Sequence, residues 1–234
     1  MFNIRKMLVM ATFGFASGLP YILIFSTLSA WLRDIGISLS LIGFFSWIAL
    51  TYSLKFLWAP FVDRFSVPIL NRYGRRKSWI ILTQLIIVFC IFTLSSINPI
   101  NSLSFFIFIA FLIAFSGSIQ DTAIDAFRIE YADIADQGNL AAAYQFGYRL
   151  AILAATSLAL ILADKYGWST SYEVMGLLMF TGLIGVAISK KENINTQLEI
   201  LNFKDSFIKP IKDFGSRYGF YLASLLLFIV ATYR

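Results

Sequence analysis

The sequence contains no histidine. The side chain that most often changes charge near neutral pH is therefore missing, and with it the commonest metal ligand. Only carboxylates remain to carry protons near neutrality, and only where their surroundings favour the protonated form. Cysteine is nearly absent too: Cys90 stands alone inside an apolar run, which excludes an internal disulfide. Charged residues make up 14% of the chain, against about 25% in an ordinary soluble domain. No small-residue cleavage site follows the basic start, Arg5 and Lys6, and the apolar stretch behind it is too long for a signal peptide. It reads as an uncleaved membrane-spanning helix.

What is abundant is apolar. Hydrophobic residues form 59% of the chain, Phe occurs 24 times, and mean hydropathy is +0.76. The composition is that of an all-α polytopic membrane protein. A span needs about 20 apolar residues. Six such runs are expected, over about 8–31, 41–61, 79–97, 103–127, 140–163 and 172–188. A polar segment at 189–216 follows, then a seventh run at 218–233 that the end of the sequence cuts short. The first run carries Gly14 and Gly18, a spacing that permits close helix contact, and Pro20, which should bend or loosen it. In the polar segment, Phe203, Phe207, Ile208, Ile211 and Phe214 fall at helical spacing between Lys204, Lys209 and Lys212. This predicts an amphipathic helix on the membrane surface.

Lys and Arg set the orientation. With the N-terminus inside, fourteen lie on the cytoplasmic side and only Arg33 and Lys165 outside, while Lys55, Arg149 and Arg234 fall in helices or at the end. The chain should span the membrane with a cytoplasmic N-terminus.

Two stretches carry chemistry. Gln120, Asp121, Asp125 and Arg128 follow the apolar run 103–115. At about 100° per residue, the three charges share one stripe of the fourth helix. Ionisable groups inside a span are costly unless they face protein or water, so they mark a candidate site. Counted at about 1.5 Å per residue, Lys55, Asp121 and Arg149 fall in one layer roughly 9–13 Å from the cytoplasmic boundary. Asp121 is expected beside Lys55 or Arg149, with Gln120 and Tyr148 nearby. The second stretch is Asp63-Arg64 followed by Gly74-Arg-Arg-Lys77. An aspartate and arginines on one side of the membrane can form a breakable latch. Asp63 is expected to pair with Arg64, Arg75 or Arg76, with Asp125 and Arg128 at the end of the fourth helix beside them.

This second stretch, after Ala59, resembles the loop between the second and third helices of the major facilitator superfamily, with Ala59 where a glycine is usual and a longer gap before Gly74. The longer gap, together with 14–20 (GFASGLP), 30–34 (AWLRD), 56–60 (FLWAP), 120–128 (QDTAIDAFR) and 147–150 (GYRL), is similar to the AmpG muropeptide permeases. The resemblance covers about residues 13–182. It implies the N-terminal six-helix half of a transporter, built as two three-helix repeats over 1–188, with a cytoplasmic central loop at 189–216 and a partial seventh helix at 217–234. It also implies proton-coupled import of anhydro-muropeptides, with a separate C-terminal half as partner. Candidates for substrate and proton coupling are Gly18, Lys55, Gln120, Asp121, Tyr148 and Arg149. No cofactor, metal or nucleic-acid partner is expected. The alternatives are a non-transporting remnant or accessory subunit, or a carrier of another bulky solute such as an acyl-coenzyme A. A metal-dependent membrane transferase is disfavoured, because a magnesium–diphosphate site needs several carboxylates and only one pair, beside Arg128, is present.

Overall fold

Among the described residues, six helices are long and apolar enough to cross a membrane: α1 (Ile4–Asp34), α2 (Leu39–Leu57), α3 (Arg75–Ser96), α4 (Leu103–Tyr131), α5 (Ile134–Tyr166) and α6 (Trp168–Ile188). The computed structural model describes residues 4–131, 134–190 and scattered positions between 212 and 225. Among the described residues there is no strand. The chain divides into two units, Met1–Ile194 and Asn195–Arg234. In the second, Lys212, Asp213, Ser216, Tyr221, Ser224 and Leu225 are helical and exposed. Most of the expected amphipathic segment and of the seventh run lies outside the described residues.

α3 and α4 are continuous α-helices, whereas α1, α2, α5 and α6 are interrupted. α1 passes through Pro20 and widens into a π segment at Leu23–Thr27. α5 has a matching π segment at Ala154–Leu158, and the Thr27 hydroxyl donates to the carbonyl of Ala155 inside it. α2 is the most irregular, with 3-10 turns at Ser46–Ala49 and Lys55–Leu57. Pro60, near the start of the short helix Ala59–Arg64, explains the second turn. A proline ring crowds the carbonyl four residues earlier and cannot donate to it, which disfavours an unbroken α-helix from Phe56 into Pro60.

α1 sits at the centre and packs most extensively on α5; α3 packs on α4 and α6. Glycine permits the α1–α5 approach. A Cβ on Gly14 would collide with the backbone of Tyr144, and one on Gly147 with the backbone of Ala11. Small residues of α4 serve α2 likewise: the Tyr52 hydroxyl lies over Gly117, and Ser118 donates to the Thr51 carbonyl at 3.0 Å. Two apolar cores fill the bundle. The larger centres on Leu19, Leu23, Leu28, Trp31, Ile87, Phe106 and Tyr172; the smaller centres on Met10, Phe13, Ile80, Ile124 and Phe127. Phe89, Phe105, Phe108, Leu177 and Ile184 point outward, as side chains facing lipid do.

Candidate functional site: an ion layer and a charged latch

Asp121 and Asp125 lie one turn apart on α4, so both project toward α2. Lys55 meets them there. Its Nζ lies 3.2 Å from Asp121 Oδ2 and 3.7 Å from Asp125 Oδ2. The turn at Lys55–Leu57 supplies that position. The other Asp121 oxygen accepts a hydrogen bond from the Tyr144 hydroxyl of α5 at 2.9 Å. Arg128, three residues beyond Asp125, lies 3.7 Å from its Oδ1 and 5.8 Å from the Tyr144 ring centroid. Two cations and two carboxylates thus form a neutral cluster across α2 and α4, which α5 completes through a hydroxyl. Above it stand Tyr21, Phe25 and Tyr52, with ring centroids 4.9–5.9 Å apart. Trp58 donates to Ser118 at 3.2 Å beside them. The Tyr52 hydroxyl is buried against Gly117 and has no hydrogen-bond partner among the described residues.

The expected layer is therefore present in part. Lys55 meets Asp121, but Arg149 does not. Arg149 is exposed and forms no ion pair among the described residues. It stands about 140° around α5 from Tyr144, which takes the expected place beside Asp121. Tyr148 lies one turn beyond Tyr144, with ring centroids 6.3 Å apart. Gly18 lies in a helix contact: a Cβ there would come to 3.0–3.1 Å from Tyr148 and Ala151. Gln120 is fully buried and donates to the Ala16 carbonyl of α1 at 3.2 Å.

The latch assembles just beyond the same end of α2, at the short helix Ala59–Arg64. Gly74, at φ 105°, turns the chain into α3 through a conformation that side chains disfavour. Arg75, Arg76 and Lys77 then open α3. Cations at a helix N-terminus oppose the helix dipole, so each needs an anionic partner. Arg76, 6% exposed, holds Asp63 at 2.5 Å and Glu130 at 2.8 Å, and bonds the Val62 carbonyl at 3.3 Å. Arg75 reaches Glu130 at 3.3 Å. Lys77 instead donates to the carbonyls of Ser189 (3.3 Å) and Lys190 (2.5 Å), and Arg5 to that of Ile188 (2.7 Å). Both cap the C-terminal end of α6, the favourable end of its dipole. Two expectations are corrected here. Asp125 and Arg128 belong to the ion layer, and Glu130 takes their place in the latch, because Glu130 lies about 140° around α4 from Asp125 and faces α3. Arg64 packs over the Phe65 ring, 5.7 Å from its centroid, and forms no ion pair among the described residues.

Comparison with known families decides the assignment. The family model for the Major Facilitator Superfamily matches residues 7–233. The chain belongs to the Major Facilitator Superfamily. Among curated members it is 36% identical over 210 residues to "Putative transporter AmpG 4" of Rickettsia conorii, covering 87% of this chain and 51% of that one. It is 34% identical over 220 residues to the anhydromuropeptide permease of Escherichia coli K12, covering 94% of this chain and 44% of that one. The resemblance to AmpG proteins read from the motifs thus extends over most of this chain, and the chain spans about half the length of the relatives it matches. The latch joins the short helix Ala59–Arg64 to the adjacent ends of α3 and α4, and the ion layer joins α2, α4 and α5.

Proposed function

We propose that the chain is the N-terminal six-helix half of a secondary transporter that imports anhydro-muropeptides across the bacterial inner membrane, with its N-terminus in the cytoplasm. The observation that carries the reading is the similarity to the Escherichia coli anhydromuropeptide permease over 94% of this chain. The ion layer adds a means of proton coupling. Asp121 is held by Lys55 and Tyr144 on two different helices, so a proton on its carboxylate would weaken its grip on both. Movement of α2 and α5 against α4 would then follow proton binding and release. Asp63, Arg76 and Glu130 would hold one end of the bundle closed until the helices shift. Arg149, exposed within a span and without a carboxylate partner among the described residues, is suited to bind an anionic substrate. A second six-helix body would complete the transport route.

The test is uptake of radiolabelled anhydro-muropeptide by Escherichia coli cells lacking their own permease. The cells carry this chain alone, or this chain fused to the C-terminal half of the Escherichia coli permease. Uptake by the fusion that collapses with a proton uncoupler is expected. A fusion that reaches the membrane in folded form yet takes up no muropeptide would overturn the substrate assignment.

A further inference from the structure

Two buried glutamines in this bundle do the same unusual thing. Pro20 has no N–H, so the carbonyl of Ala16, four residues earlier in α1, lacks its usual helical donor. The amide of Gln120 on α4 supplies one at 3.2 Å. In α6, the helix breaks at Phe180, and the N–H of Leu183 turns to the Phe180 carbonyl at 3.0 Å. The Met179 carbonyl is thereby released, and the amide of Gln84 on α3 donates to it. Both glutamines have 0% exposure. The donors come from the two uninterrupted helices, and the acceptors lie on two interrupted ones. The two sites also adjoin, because the Thr83 hydroxyl lies 3.5 Å from Gln120 Oε1.

We propose that Gln120 is a positioning residue, a side-chain replacement for the backbone hydrogen bond that Pro20 removes. It fixes the rotation of α4 against the proline-bearing turn of α1 and so aims the neighbouring Asp121 at Lys55 and Tyr144. Gln120 is sealed from ligand and solvent, and its donor is already engaged, so it does not contact substrate. An unpaired carbonyl in a bundle interior is expensive, which ties the glutamine to the proline. The missing N–H and the side-chain donor that replaces it are one unit split between two helices.

That dependence is testable on the purified chain by thermal melting in detergent, followed by tryptophan fluorescence. Gln120→Met keeps the side-chain bulk and removes the donor. It should lower the melting temperature by about 3–6 °C. Pro20→Ala restores a backbone N–H, so in that background Gln120→Met should cost less than half as much. Gln84→Met serves as the control, with the same loss in both backgrounds, since its carbonyl is freed by a different break. Equal loss from Gln120→Met with and without Pro20 would overturn the proposal. Should Gln120→Met fail to fold, Gln120→Asn, one methylene short of the carbonyl, takes its place in the cycle. A second measurement rests on the transport reading, namely uptake by the fusion described above. Positioning predicts that Pro20→Ala restores uptake lost through Gln120→Met. Uptake that stays lost while melting recovers would mean that Gln120 contacts substrate and would also overturn the proposal. Failure of the unsubstituted fusion to transport would count against the transport reading alone, because the melting cycle does not depend on it.

Discussion

Removing Lys55 should hurt more than removing Asp121, although the two form one ion pair. At 3.2 Å, a pair of unit charges interacts by about 1.3 kcal/mol at the dielectric of water and about 5 kcal/mol at an effective dielectric near 20. The side chains are 36% and 21% exposed, so screening holds the pairwise coupling to about 1–3 kcal/mol. The partners left behind differ. Lys55→Met leaves Asp121 and Asp125 one turn apart on the same face, with only Arg128 to offset them. Asp121→Asn leaves Lys55 its second carboxylate at 3.7 Å, and Tyr144 can donate to the new amide oxygen. Expected costs are about 2–4 kcal/mol for Lys55→Met and about 1 kcal/mol for Asp121→Asn. For a chain of this size that corresponds to melting shifts of about 5–12 °C and about 2–4 °C. The double variant should lose less than the sum, since the neutralised pair no longer strands a charge. Thermal melting of the four proteins in one detergent reads all three quantities. Equal losses from the two single variants, or strict additivity, would refute the reasoning.

Three further outcomes follow from the geometry. In the latch, Glu130 meets Arg76 through two nitrogens and also meets Arg75, whereas the Asp63 side chain is 53% exposed; melting should therefore show Glu130→Gln costing about 1 kcal/mol more than Asp63→Asn, and the reverse order would contradict the assignment of Glu130. Gly147→Val should abolish the monodisperse folded peak in detergent size exclusion, because its side chain meets the Ala11 backbone, while Gly138→Ala, with nothing within 4 Å, should elute unchanged. Arg149→Gln should leave melting within about 1 °C of the parent yet reduce muropeptide uptake by the fusion, and unchanged uptake would remove Arg149 from the substrate site.

The six spans were legible because a membrane imposes one strong signal, a long apolar run. Heights were legible as well. Counting residues along α2 and α4 brought Lys55 and Asp121 to the same level, and they meet. Counting gives height along one helix but not rotation between helices. Arg149 has the right height and the wrong bearing, and Tyr144, which carries no charge to draw attention, faces Asp121 instead. Asp125 failed as a latch residue for the same reason. Glu130 escaped notice because α4 seemed to end near Phe127, whereas it continues to Tyr131 and carries Glu130 onto the side of α3. Pro20 announced a defect in α1, but only the packed bundle reveals which residue repairs it. The π segments of α1 and α5 carry no distinctive residue pattern, and only the packed bundle shows them side by side, joined through the Thr27 hydroxyl and the Ala155 carbonyl.

At the far end of the bundle, the indole of Trp168 stacks on that of Trp31 with centroids 5.9 Å apart and planes 7° from parallel, and its N–H reaches Asp34 at 2.8 Å. Two aromatic chromophores held this close and this parallel share their excited states. To the extent that their transition dipoles are twisted within those planes, the pair gives a coupled band in circular dichroism, and that band exists only while the start of α6 rests on the end of α1. Any motion that parts those two helix ends would extinguish the band without a label, so the opening of that side of the bundle can be followed in an unmodified chain.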